Sequence, residues 1–228
     1  MQRKKKHILA DKNITKLIIK LSAPATIGML VMALYNIVDA IFVGHGVGTH
    51  GLAGISIVFP FQMLVLSIGS LIGIGGASII SRCLGSNNLE KANRTLGNVY
   101  SLVIVFGILL AVGGSLFINP LLKLFGVTKA IFPFSKDYLQ IILFGIVFFL
   151  FLIASNNIIR SEGKAKIAMG TMIVSAILNI ILDPIFIFVL KMGTRGVAIA
   201  TVLSQAAAVC YIIFYFFSKR SSLHFKIK

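Results

Sequence analysis

Apolar residues in this chain run in long blocks, without the alternation of a half-buried strand or the narrow stripe of a water-facing helix. Residues 95–122, 138–159 and 196–217 hold no Asp, Glu, Lys or Arg, and 21–81 and 167–190 hold one acid each, Asp39 and Asp183. A hydrocarbon layer of ~30 Å is crossed by about 20 apolar residues in a helix, so each block is long enough to span a bilayer. Block 21–81 is long enough for two helices, and Gly44-His45-Gly46-Val47-Gly48-Thr49-His50-Gly51 supplies a turn between them. The pattern therefore predicts spans at 21–43, 52–81, 95–118, 138–159, 167–190 and 196–217. Helices are expected because a lipid-facing backbone must satisfy its own hydrogen bonds. The second span would be about 45 Å long, with protruding ends and a kink at Pro60. The expected fold is all-α and integral to the membrane: six transmembrane helices over 21–217, a basic segment at 1–20 and a basic tail at 218–228.

Composition agrees with that pattern. The chain is 57% hydrophobic and only 12% charged over 228 residues, against ~25% charged in a soluble domain. A soluble enzyme and a disordered chain are both excluded. The net charge of +16 is at first sight a nucleic-acid signal, but its distribution points elsewhere. Seventeen Lys and Arg fall on the N-terminal segment, the second–third and fourth–fifth connections and the tail, and five fall on the other side. By the positive-inside rule both termini are expected in the cytoplasm, as an even number of spans requires. The basic excess then sets topology and meets anionic lipid headgroups. No soluble face with aromatic platforms exists to bind nucleic acid. The basic N-terminus leads into an apolar run too long for a signal core, so no cleavable signal is expected. Cys83 and Cys210 read as reduced structural thiols.

The candidate chemistry lies in the two intramembrane acids. An acid at a helix centre costs ~2.5–3.5 kcal/mol to insert, which makes it a functional hypothesis. At ~1.5 Å per residue, Asp39 lies about 6 Å, Asp183 about 10 Å and Thr201 about 8 Å below the outer ends of their spans. They share one slab of the outer half. Asn179 stands one turn below Asp183 and Tyr35 one turn below Asp39, each on the same helical face. Carboxylate, amide and hydroxyl oxygens suit an alkali cation or an exchangeable proton rather than zinc or copper. Two nearby carboxylates would titrate as a unit and trade a proton for a cation. Pro184 cannot donate to the Ile180 carbonyl, so a helix bend and a freed ligand are expected there. Gln205, one turn from Thr201, is a further cavity candidate. Asn156 and Asn157 read equally well as packing or ligand residues. Small residues at 69–78 read as a close helix contact.

The chain resembles the multidrug and toxic compound extrusion (MATE) transporters in strings dispersed over its length. The first are Pro24, Asp39-Ala40-Ile41-Phe42-Val43-Gly44 and Gly51-Leu52-Ala53-Gly54. Ser81-Arg82-Cys83-Leu84-Gly85 and Arg160-Ser161-Glu162-Gly163 fall where loops are expected. Asn179-Ile180-Ile181-Leu182-Asp183-Pro184 and Gly193-Thr194-Arg195-Gly196 through Thr201 complete the set. The resemblance implies a sodium- or proton-coupled antiporter in the cell membrane, expelling amphipathic cationic drugs, with no enzymatic step and no cofactor beyond the coupling ion. It places a cation site on Asp39, Asn179, Asp183 and Thr201, implicates Asn156, and marks Pro24 as a bend.

Family members have two six-span lobes, and no second Asp-Ala-Ile-Phe-Val-Gly string occurs here. The chain is thus expected to be one lobe, working with a second six-span lobe or by self-association, or else a truncated product that transports nothing. A rival within the superfamily is a lipid-linked oligosaccharide flippase, whose anionic cargo would call for basic residues inside the spans. An intramembrane aspartyl protease is disfavoured because Ile180-Ile181-Leu182, not Gly-x-Gly, precedes Asp183.

Overall fold

A computed structural model describes residues 14–218, 221 and 223. The helices are α1 (Ile14–Gly46), α2 (Thr49–Gly85), α3 (Leu89–Leu116), the short α4 (Ile118–Leu124), α5 (Phe132–Ser161), α6 (Ala165–Pro184) and α7 (Gly193–Phe217). Among the described residues six stretches are long and apolar enough to cross a membrane: Ser22–Gly46, Thr49–Gly85, Leu89–Leu116, Phe132–Ser161, Ala165–Val189 and Gly193–Phe217.

The helices outrun the charge-free blocks. Asn88 caps α3 by accepting the Lys91 N–H at 3.0 Å, and the helix carries Glu90, Lys91 and Arg94 before its apolar run begins. The α5 helix opens six residues before the expected fourth span, with Pro133 in its first turn, where a missing N–H costs nothing. The break between α1 and α2 falls inside the glycine-rich stretch, where Gly48 adopts φ 83°, a left-handed conformation costly for other residues. The α1 helix itself extends back to Ile14, inside the expected basic N-terminal segment. The rest of that segment, and most of the expected basic tail, lie outside the described residues. The first-span residue Pro24 is held within the continuous α1. Beyond Pro184 the α geometry gives way to a π-helical turn over Ile185–Val189, with Leu190 N donating to Ile185 O at 2.9 Å. The distortion thus extends onto the C-terminal side of the proline.

The central element is α5, flanked by α2, α3 and α7. Its Leu139, Leu143, Ile146 and Leu150 are buried with Val58 and Val65 of α2 and Ile212 of α7. Over half (56%) of its most apolar stretch is buried, against 11% of that in α1. The α1 helix packs mainly on α6 and only lightly on its sequence neighbour α2. The small residues at 69–78 do serve close packing: a Cβ on Gly73 would stand 2.8 Å from the Ala154 Cα of α5. Outward faces are apolar, as lipid contact requires; Leu71, Phe144 and Phe214 are examples.

Beyond the spans, the α5–α6 loop holds a buried carboxylate. Glu162 accepts from Tyr215 Oη at 2.6 Å, Ser221 Oγ at 2.7 Å and Leu223 N at 3.2 Å. The segment that follows α7 is thereby fastened to the loop.

Candidate cation site

Three helices deliver the acid cluster. The α1 helix presents Asp39 and, one turn earlier, Tyr35, both half-buried. From α6 come Asn179 and Asp183, 2% and 0% exposed, and from α7 comes Thr201, 7% exposed. Asn179 Nδ2 donates to Asp183 Oδ1 at 3.3 Å and reaches Thr201 Oγ1 at 3.5 Å. The i, i+4 spacing makes the first of these contacts local; the α6–α7 packing makes the second. Thr201 donates its own proton to Val197 O at 3.0 Å, leaving the hydroxyl oxygen as an acceptor. Across the α1–α6 seam the Asp39 and Asp183 carboxyls are in side-chain contact, and Tyr35 reaches Thr201.

The cluster is rich in acceptors and poor in donors. Asp39 Oδ1, Asn179 Oδ1 and Asp183 Oδ2 are buried and have no hydrogen-bond partner among the described residues. A buried polar atom left unpaired costs about 1–3 kcal/mol, and an ionised one costs more. Two carboxylates in contact also repel unless a proton or a cation lies between them. Hard oxygens of this kind are what an alkali cation takes as ligands.

The other sequence candidates are placed differently. The partners of Asn156 are Leu152 O, to which its Nδ2 donates at 2.9 Å, and Thr171 Oγ1, 3.1 Å from its Oδ1. Thr171 precedes Asn179 by two helical turns, about 12 Å, so Asn156 bonds at another level of the bundle. Gln205 faces a cavity of about 30 Å³, with Gln62, Val65, Ile142, Ile146 and Phe149 around it.

Two residues lie outside the sequence expectations. Tyr138 is 4% exposed at the start of the fourth apolar block. Gln62 Nε2 donates to Tyr138 Oη at 3.2 Å. The available signal was that Gln62 is the only side-chain amide in the second span.

Six membrane-length helices among the described residues, with a buried acid cluster where α1, α6 and α7 meet, define the class: a multi-pass membrane protein. The MatE family profile matches residues 24–185. The chain belongs to that family, the MATE transporters. It is 30% identical over 219 residues to the multidrug export protein MepA of Staphylococcus haemolyticus, covering 96% of this chain and 48% of that protein. Its fold superposes on the MATE multidrug transporter DinF-BH with TM-score 0.90 and 47% identity, over 95% of this chain and 48% of that one. A multidrug resistance MATE family transporter solved in an outward-facing conformation gives TM-score 0.87 at 32% identity, over 93% and 47% of the two chains. The chain spans about half the length of the relatives it matches.

Proposed function

We propose that this chain forms one lobe of a cation-coupled multidrug exporter, with both termini in the cytoplasm. Sodium or a proton binds at Asp39, Asn179, Asp183 and Thr201, and an amphipathic cationic drug is released outward as the site loads. The observation that carries this reading is the set of three unpaired buried acceptors, Asp39 Oδ1, Asn179 Oδ1 and Asp183 Oδ2. Carboxylate charge favours a cation over an anion, which supports drug export over flipping of an anionic lipid-linked sugar. Membership of the MatE family and the kinship with multidrug export proteins support it too. Alternating access needs a second wall for the cavity. That wall would be a second six-span lobe, on the same polypeptide or supplied by another copy.

The test is thermal unfolding of the purified chain in detergent, titrated separately with sodium chloride against choline chloride and with pH. A ligand that binds only the folded state stabilises it by about 2.7 kcal/mol at 100 times its Kd. One of the two titrations is expected to raise the Tm of the parent chain, and Asp39→Asn and Asp183→Asn should each abolish that rise. An unchanged response in both variants, or no response of the parent to either ion, refutes the proposal.

A further inference from the structure

The central helix α5 is flanked by α2, α3 and α7, yet Phe144 near its middle is 83% exposed. Its two sequence neighbours show why. The Leu143 side chain fills the space beside Gly114 of α3, and Val202 of α7 fills the space beside Gly145. The flanking helices thus seat on α5 at either side of Phe144 and leave it on the floor of a groove. One end of the groove is closed. There the Tyr100 ring of α3 stacks on Phe151, centroids 4.5 Å apart, and meets Phe216 of α7 edge-on at 6.2 Å. The other end opens into a cavity of about 440 Å³ lined by Ser115, Asp137, Gln140, Ile141, Phe144 and Arg195. Positions 137, 140, 141 and 144 share one helical face and turn from charged to amide to apolar over about 10 Å of depth. The mouth holds one cation and one anion: Arg195 Nη2 donates to Asp137 Oδ1 at 2.9 Å. That bond leaves most of the guanidinium donors and the second carboxylate oxygen unused.

We propose that this groove binds a phospholipid whose head carries both a phosphate and a primary ammonium, with an acyl chain laid along Ile141 and Phe144. The phosphate takes the remaining Arg195 donors. The ammonium donates to the second Asp137 oxygen and to the Gln140 amide oxygen. Both charges of the mouth are then matched without breaking the ion pair. A cationic amphiphile would meet Arg195, an anionic lipid would meet Asp137, and a choline head has no N–H to donate. The descent from charge to aromatic ring fits within one leaflet, about 15 Å of hydrocarbon. The groove shares no residue with the acid cluster, so the inference stands apart from the coupling role proposed for it.

The chain contains no tryptophan, so a single indole reports its own surroundings. Phe144→Trp, at an exposed position, places one in the groove of the full chain in detergent. Phospholipids with brominated chains and ethanolamine, choline or glycerol heads are titrated in, and quenching is read against lipid mole fraction. The ethanolamine lipid is expected to half-quench at about a fivefold lower mole fraction than the other two, the worth of one typical hydrogen bond. Added to Phe144→Trp, Asp137→Ala should erase that preference and favour the anionic glycerol head, because Arg195 is then uncompensated. Arg195→Gln should raise the ethanolamine midpoint. Leu71→Trp, on an exposed face of α2, should respond to all three lipids alike. Equal midpoints at position 144, an ethanolamine preference that survives Asp137→Ala, a midpoint unmoved by Arg195→Gln, or the same preference at position 71 overturns the inference. So does displacement of the brominated lipid more readily by a cationic amphiphilic dye than by unbrominated ethanolamine lipid, which would give the groove to a drug. Absence of quenching by every lipid overturns it as well, because protein would then cover the groove.

Discussion

Replacing Glu162 by Ala should release the segment after α7 while leaving the six spans folded. Ser221 and Leu223 are 6% and 0% exposed although they lie past the last helix, and a carboxylate secures them. Ser221 Oγ donates to Glu162 Oε1 at 2.7 Å, and Leu223 N–H is shared between the same oxygen at 3.2 Å and Ser221 Oγ at 3.0 Å, so both acceptors are fixed by the carboxylate. Hydrogen bonds to a charged partner contribute ~1.5–3 kcal/mol each. Taking the low end for the two bonds that tether the segment gives about 3 kcal/mol, or roughly two decades in the local opening equilibrium. The short Tyr215 Oη contact, 2.6 Å, belongs to α7 and is lost as well, but it does not tether the tail. Hydrogen exchange read at the Leu223 amide is the direct assay, because that N–H is itself one of the bonds. Its protection should fall about 100-fold in Glu162→Ala, with exchange in the middle of α5 unchanged. Glu162→Gln, which keeps one acceptor oxygen, should fall between the parent and Glu162→Ala. Equal Leu223 protection in the parent and Glu162→Ala would show that Leu223 burial, not the carboxylate, docks the segment.

Two further predictions concern packing. Gly73→Leu would force a side chain into the 2.8 Å gap to the Ala154 Cα, so α2 and α5 must separate; a loss of about 1–3 kcal/mol is expected, seen as a lower Tm in detergent. Asn156→Ala removes one of two acceptors within reach of the Thr171 hydroxyl, at 3.1 Å, and leaves Ala168 O at 2.7 Å; it should cost about 0.5–1.5 kcal/mol of stability, yet leave the ion titration midpoint where it was.

The number of spans was legible because an apolar background makes every charge conspicuous, and the same contrast exposed Asp39 and Asp183. Period arithmetic then reached Asn179, Thr201 and Tyr35, since a helix fixes depth and face from residue number alone. Helix ends were not legible from charge. Glu90, Lys91 and Arg94 lie within α3, because a helix continues into water as readily as it stops at the membrane surface. The seven-residue α4 leaves too short a pattern to read. Nor were neighbours legible. Nothing local says that α1 seats on α6 instead of α2, or that Gln62 meets Tyr138. Such contacts depend on which helices pack, and in lipid that choice is made by close fit more than by hydrophobicity. Asn156 shows the same limit: that Thr171 stands 3.1 Å from it depends on how α5 and α6 pack.

The location of the acid pair gives the proposed coupling a mechanical route. At one end of the α1–α6 seam, Gly28 sits against Met172; at the other, Gly46 lies against Ile187 and the Phe42 and Phe188 rings meet edge-on, centroids 6.2 Å apart. Between these apolar clasps the seam is polar, with Asp39 beside Asp183 and Tyr35 beside Thr201. Two ionised carboxylates ~4 Å apart repel by about 4 kcal/mol at an effective dielectric of 20. A cation between them turns that repulsion into attraction to both. A swing of this size is comparable to the difference between states that a ligand must supply to move a two-state element. The element it acts on is α1, the least buried span, whose other face exposes Met29, Leu30, Leu34, Ile37 and Ile41. A change in the grip of α6 on α1 would therefore be felt on that exposed face, by whatever lies against it. That makes α1 the helix through which ion occupancy would reach a drug or a second lobe.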